Sequence, residues 1–398
     1  MSIFLFCKQI VDMLYQFKFL DYGMVLFALV LICYKVWKDK LYKNIREFIY
    51  PVDYIVVGLM IIYVLSFLRY PTAYGVFFKV ESSFLIYFLG RVYGKKVLQH
   101  GKMLACAGYL IVYANFAYRF YQFGFKFFVT GPEETLLNVG GLYYYKTDLT
   151  VAVIIAMIFI YAFSEFKVFK WFTIFPVCGY MVLYSGARMQ QLVILAVYGL
   201  IILHEFGSRK GRKNILSPKC ARNISIGIAI FLVCFFIVIE VFPFEAYEKE
   251  IAQSADWANS WVERIMHSRQ AIWWGILQYF SEQPFFTKIL GIDLGTEYLH
   301  NSVGDRAHSL YIKQIYATGY IGCFLFVYFF YRILQKISVE KDKKLFYIVM
   351  MLWVMFLGSG ITIESLEYTQ MSWFPMLFTG ILFAKGKTET QAVQEQSE

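Results

Sequence analysis

The chain has 398 residues, of which 59% are hydrophobic and 20% aromatic, while only 17% are charged. Apolar residues recur in uninterrupted blocks of about 17 or more, long enough to cross a hydrocarbon core, so a soluble globular protein is excluded. A net charge of +10 invites a nucleic-acid reading, but the spacing of the basic residues accounts for that charge in another way.

Residues 1–20 place Lys8, Asp12 and Lys18 among Phe, Leu and Ile. That composition predicts an amphipathic interfacial helix, with a twelfth span as the alternative. No basic lead or small-residue cleavage site is present, so no removable signal peptide is expected. Spans 1–8 follow within 22–242, at about 22–37, 52–68, 74–91, 103–119, 149–164, 168–184, 190–206 and 224–242. Spans 9–11 lie within 309–384, at about 309–331, 345–361 and 369–384. The expected architecture is an all-α polytopic membrane protein, a single membrane domain over 1–398 with eleven spans or, counting the first segment, twelve. Lys79 and Glu81 interrupt segment 74–91 and mark either a misplaced boundary or a buried pair.

Orientation follows from the connections. Lys35, Lys38, Lys40, Lys43 and Arg46 follow the first span, and Arg91, Lys95, Lys96 and Lys102 the third. Lys167 and Lys170 follow the fifth, and Arg209, Lys210, Arg212, Lys213, Lys219 and Arg222 the seventh. Arg332, Lys336, Lys341, Lys343 and Lys344 follow the ninth. Every second connection is basic, which assigns those connections and the polar tail 385–398 to the cytoplasm. This pattern explains most of the net charge and removes the case for nucleic acid. The seven cysteines (Cys7, Cys33, Cys106, Cys178, Cys220, Cys234 and Cys323) include no CxxC pair and fall in or beside apolar segments. Neither a disulfide framework nor a thiolate metal site is expected.

Two outward connections are long, about 120–148 and 243–308. The second holds nine acids against five Lys or Arg, contains the helix-like block WVERIMHSRQAIWWGILQYF (261–280), and is expected to be folded. On a helical wheel Trp261, Val262, Ile265, Met266, Ile272, Trp273, Ile276, Leu277 and Phe280 form one apolar arc. Arg264 and His267 lie on the opposite, solvated face. Arg269 lies within the arc, where a charge must be paired, snorkelling or facing a ligand.

Two more outward cations stand out. Arg188, in YSGARMQ between the sixth and seventh spans, either pairs helix-end carbonyls or holds an anion. Arg306 and His308 close the long loop directly before the ninth span. A lone histidine is commonly structural, yet its ordinary pKa suits proton transfer near neutrality. An Arg306 pointing the same way would favour the neutral, basic imidazole. No HExxH, P-loop, GxSxG or clustered-acid pattern is present, so neither metal nor cofactor is expected. Arginines match phosphate oxygens in forked geometry and can stabilise an anionic leaving group instead.

SGAR (185–188), SRQAIWWGILQYF followed by LGID, and AHSLYIKQIYATGYIGCFLF with Gly319 and Gly322 together resemble the bacterial O-antigen polymerase and O-antigen ligase superfamily. Ser309 stands where that family has Asn, and Ser268 where it has Gly before the loop arginine. The resemblance implies a glycosyltransferase of the cytoplasmic (inner) membrane that polymerises surface-polysaccharide repeat units. A growing glycan would leave undecaprenyl pyrophosphate for a sugar hydroxyl of another lipid-linked unit. Arg188 and Arg269 would contact pyrophosphate or sugar phosphate, and His308 would be the base. Arg306 and Arg264 join the candidate binding residues by position alone. Expected partners are undecaprenyl-pyrophosphate-linked oligosaccharides and membrane lipids, with a chain-length regulator as a further candidate. A ligase using the same donor is the nearest alternative. A lipid-linked oligosaccharide flippase is the alternative of a different class, although no internal repeat supports it.

Overall fold

The computed structural model describes residues 1–14, 17–44, 48–123, 142–143, 145–183, 185, 187–209, scattered positions between 222 and 237, and 269–384. Among them the structure is all-α, with no strand. In chain order the helices are α1 (Ser2–Met13), α2 (Lys18–Lys38), α3 (Pro51–Arg69), α4 (Tyr74–Tyr93), α5 (Gly101–Phe123) and α6 (Lys146–Phe163). Then come α7 (Lys167–Phe172), a π-helical turn (Thr173–Cys178) around Pro176, α8 (Gly179–Leu183) and α9 (Arg188–Arg209). The rest are α10 (Arg269–Ser281), α11 (Phe285–Leu290), α12 (Leu310–Val339), α13 (Lys343–Ser359) and α14 (Thr369–Phe383). Segments 120–141 and 224–242 lie largely outside the described residues, and 243–268 with Arg264 and the tail 385–398 lie wholly outside them.

Every other apolar segment marked in the sequence falls on helix. Among the described residues five helices, α2, α3, α6, α9 and α12, are long and apolar enough to cross a membrane. By contrast α13 and α14 have 17 and 15 residues. Helix α4 runs through Lys79 and Glu81 without interruption, with Lys79 exposed and Glu81 half-buried. Local chemistry sets several boundaries. Pro51 occupies the first turn of α3, and the Asp53 carboxylate accepts the Tyr50 N–H at 2.8 Å, closing a capping box. Helix α4 stops at Gly94, whose φ of 55° is open to glycine.

The contacts between helix ends give the bundle two chemically distinct ends. At one end Lys95 pairs with Glu340 at 3.3 Å, Lys102 with Glu165 at 2.8 Å, and Lys344 lies over the Phe163 ring. A buried node ties α3, α4 and α14 there. Arg91 grips Asp53 with two bonds of 2.9 Å and donates to the Phe383 carbonyl, while Tyr87 donates to the same carboxylate at 2.5 Å. The opposite end carries the Gly360–Thr369 turn, the N-termini of α6, α12 and α14, and residues 292–309.

Helices α4 and α14 cross in close contact. A Cβ on Gly90 would meet the Leu377 carbonyl oxygen at 2.1 Å, and one on Gly380 would meet the Tyr87 carbonyl oxygen at 2.1 Å. With both side chains reduced to hydrogen the backbones touch, and Ser83–Ser372 (2.6 Å) and Trp373–Ser82 (3.0 Å) hydrogen bonds form across the seam. Helix α1 packs on α5, α2 and α14. Its Lys8 is buried, pairs with Asp12, donates to Thr369 Oγ1 at 3.0 Å and lies over the Trp373 ring.

Candidate functional site

The site is built around a break in α12. Gly319 has φ 63°, and a Cβ there would lie 2.3 Å from the Gly291 nitrogen and 2.4 Å from the Lys288 carbonyl oxygen. The break admits the end of α11. Ile292 N–H then donates to the Tyr316 carbonyl at 2.7 Å, and Gly291 (φ 82°) makes the turn. Arg69, at the end of α3, donates to the carbonyls of Leu290, Gly291 and Ile292 and so caps α11. Asp293 closes the next turn through the Gly295 and Thr296 N–H groups, both at 2.8 Å. LGID thus serves as the hinge that carries residues 292–309 across the bundle end.

Over its described residues α10 follows the arc expected from sequence, while Trp261, Val262, Ile265 and Met266 lie outside them. Ile272, Ile276, Leu277 and Phe280 are buried against Ile312, Ile315, Tyr316 and Cys323. Trp273 Nε1 donates to the Ala307 carbonyl at 2.6 Å and pins the strip ahead of α12. Asn301 shapes that strip, its amide donating to the Glu297 and Asp305 carbonyls while its oxygen accepts the Gly304 N–H at 2.9 Å. His308 follows in the left-handed region, φ 45°. Its backbone N–H donates to Glu364 Oε1 at 3.1 Å, and the Leu310 N–H donates to the Gly360 carbonyl at 2.8 Å.

The His308 ring is half-exposed, with Nε2 lying 3.2 Å from Asp305 Oδ2. The condition for Arg306 to act on the imidazole is not met. Arg306 does not turn to the imidazole but toward Glu367, 3.9 Å away. The charged neighbour of the ring is a carboxylate. Partial burial pushes the Asp305 carboxyl up, but the Arg306 N–H and His308 outweigh it and hold Asp305 below the usual carboxylate range. Burial pushes the Arg269 guanidinium down, partly offset by the same Asp305. Arg269 opens α10, so α10 and the strip bring Arg269, Asp305 and His308 into one neighbourhood.

Beneath this surface lies a cluster to which the sequence alone assigns no role. Lys313, one turn into α12, pairs with Glu297 at 2.5 Å and Glu367 at 3.5 Å, all three side chains being buried. Glu364 is also buried. A void of about 10 Å³, measured as space for the centre of a water-sized sphere, touches Lys313, Gln314, Tyr63, Glu364 and Glu367. It has room for about one water. Burial raises the Glu364 carboxyl, opposed by Lys313 and Arg306. Burial, reinforced by Glu364, pushes Glu367 up to about 8 against the pull of Lys313. Three carboxyls share two cations, so one bound proton makes the cluster neutral. Burial lowers and the three acids raise the Arg306 guanidinium, with a net rise. The overlooked signal was Lys313 itself, an ionisable residue inside an apolar helix, which calls for buried partners.

Arg188 begins α9 and is exposed at this same bundle end. Its helix meets the site's support through Ser359 Oγ and Gln190 Oε1, 3.0 Å apart. Among the described residues no group of three or more His, Cys, Asp or Glu side chains could hold a metal ion.

Among the described residues, fold and site together define an all-α protein with helices long and apolar enough to cross a membrane and a charged, histidine-bearing cluster at one bundle end. No protein-family model matches the chain, and no curated protein matches it.

Proposed function

We propose that this protein polymerises lipid-linked polysaccharide repeat units at the outer face of a bacterial cytoplasmic membrane. In this reading the chain crosses the membrane eleven or twelve times, with the Arg91–Lys95–Lys102 end and the C-terminus cytoplasmic and His308 outside. The concentration of Lys35, Lys95, Lys102 and Lys344 at the end opposite His308 supports that orientation.

The observation that carries the reading is the convergence of Arg269, Asp305, Arg306 and His308 at the mouth of one bundle end. With Nε2 turned to Asp305, His308 Nδ1 is the atom left to accept a proton from a sugar hydroxyl. The hydroxyl oxygen forms a bond to the donor's anomeric carbon as the bond from that carbon to the lipid pyrophosphate breaks. The proton passes to His308, and the electron pair leaves with the pyrophosphate. Arg269 and Arg306 offset the charge that develops there, with Arg188 contributing from the head of α9.

The test is single replacement of Arg188, Arg269 and His308 by Ala, with membrane levels confirmed and surface polysaccharide resolved on gels. Loss of the His308 base is expected to lower polymerisation by about 10²–10⁴-fold. A normal ladder in all three variants refutes the site. Deleting the gene separates the acceptors: single repeat units support polymerisation, whereas long chains stranded on the carrier assign the ligase reaction.

A further inference from the structure

Among the described residues only Lys40 and His308 are non-glycine residues with positive φ, and Lys40 lies at the opposite end of the bundle. For such a residue the left-handed backbone is unfavourable and persists only where its surroundings hold it. At His308 the holding groups can be named. Ala307, immediately before it, is fully buried with its carbonyl bound by Trp273, and Leu310, two residues on, is fixed to Gly360. Between these anchors the His308 N–H donates to the carboxylate of Glu364, which is itself buried.

A carboxylate is an expensive acceptor to bury, and a backbone carbonyl would satisfy an N–H at lower cost. Lys313 and Arg306 oppose the burial of its charge without outweighing it. Glu364 lines the same small void as Lys313 and Glu367, and it bonds the backbone of the residue whose ring meets Asp305.

We propose that Glu364 is a positioning residue for His308: by accepting the His308 backbone N–H it holds the left-handed conformation that sets the imidazole against Asp305. The catalytic consequence rests on the polymerase reading, whereas the positioning itself does not. Glu364 touches no reacting atom. It acts on the geometry of the base.

The experiment measures ring position without relying on activity. The purified full-length protein in detergent is treated with diethyl pyrocarbonate, and imidazole acylation is followed at each histidine by mass spectrometry. In Glu364→Ala, His308 acylation is expected to rise by about fivefold, the equivalent of one lost hydrogen bond, with His100, His204 and His300 unchanged as internal references. Glu364→Gln retains an oxygen acceptor for the same N–H and is expected to stay within roughly twofold of wild type. Should the alanine variant fail to fold, Glu364→Asp withdraws the acceptor by about one C–C bond, ~1.5 Å, and the same rise at His308 is expected. An unchanged His308 rate in a folded Ala or Asp variant overturns the proposal, as does an equal rise at His308 and the three reference histidines. A polymerisation assay on the same samples should show kcat falling in Glu364→Ala with donor KM held, and recovery in Glu364→Gln. Wild-type protein that does not polymerise would defeat the functional reading while leaving the acylation result to decide the positioning.

Discussion

Lys313→Met is the most informative single perturbation of the buried cluster. The side chain keeps its approximate length but loses the charge that lies 2.5 Å from Glu297 and 3.5 Å from Glu367. Glu297 and Glu367 are 2% and 6% exposed at the side chain, so bulk water has little access to screen them once the cation is gone. Breaking a buried pair by removing one partner costs about 3–5 kcal/mol, since the remaining charge is left uncompensated. That loss is expected near pH 8, where the carboxylates are most ionised. It should shrink near pH 5, because protonating the acids removes the stranded charge. Restoring neutrality by adding Glu297→Gln and Glu367→Gln should recover most of the stability. The assay is thermal unfolding in detergent by tryptophan fluorescence, with size-exclusion profiles confirming a folded start. A Lys313→Met variant within about 0.5 kcal/mol of wild type at both pH values would refute a buried ion-pair cluster, since that is the range of ordinary surface substitutions.

The titration of Glu367 gives a second expectation. Its carboxyl sits at about 8 in the folded protein against an ordinary 4.5, so the folded state holds the proton more tightly than the unfolded chain. Its contribution to stability is therefore fully present below about pH 4.5, declines as pH rises, and levels off above about 8. Glu367→Gln should flatten that decline in a pH series of melting curves. A third expectation concerns the α4–α14 seam. Gly380→Ala places a carbon 2.1 Å from the Tyr87 carbonyl oxygen and 2.8 Å from the Arg91 nitrogen, and backbone cannot step aside as a side-chain tip can. The helices must part by about 1 Å, which lengthens the Ser83–Ser372 and Trp373–Ser82 bonds and lowers stability by about 1–3 kcal/mol. Melting of the detergent-solubilised variant measures it, and a wild-type midpoint would disprove the close crossing.

Much of the helical pattern was legible because it depends on local properties. Apolar length, Pro51 and Gly94 mark helix ends without knowledge of neighbours, and the arc through Ile272, Ile276 and Phe280 anticipated which face of α10 is buried. The site was legible only in part. Arg269 was conspicuous as a charge on an apolar arc, and Arg306 and His308 as charges before a span. The relation between the last two was not legible. Adjacency in sequence suggested Arg306 as the neighbour of His308, yet the left-handed turn at His308 directs its ring to Asp305 and leaves Arg306 for Glu367. Lys8 and Glu364 are further examples, each buried and bonded to a partner far away in the chain.

By itself, then, the sequence determined the helical class, the apolar segments and the alternation of basic connections, since each is a property of a few consecutive residues in water or lipid. Only the tertiary structure decided which charges share a site. Glu297, Lys313 and the Glu364/Glu367 turn come from three separate stretches, and their meeting depends on the Gly319 break that lets α11 and residues 292–309 fold over the head of α12. A pair of opposite charges is defined by distances of a few ångströms between elements far apart in sequence, and packing sets those distances.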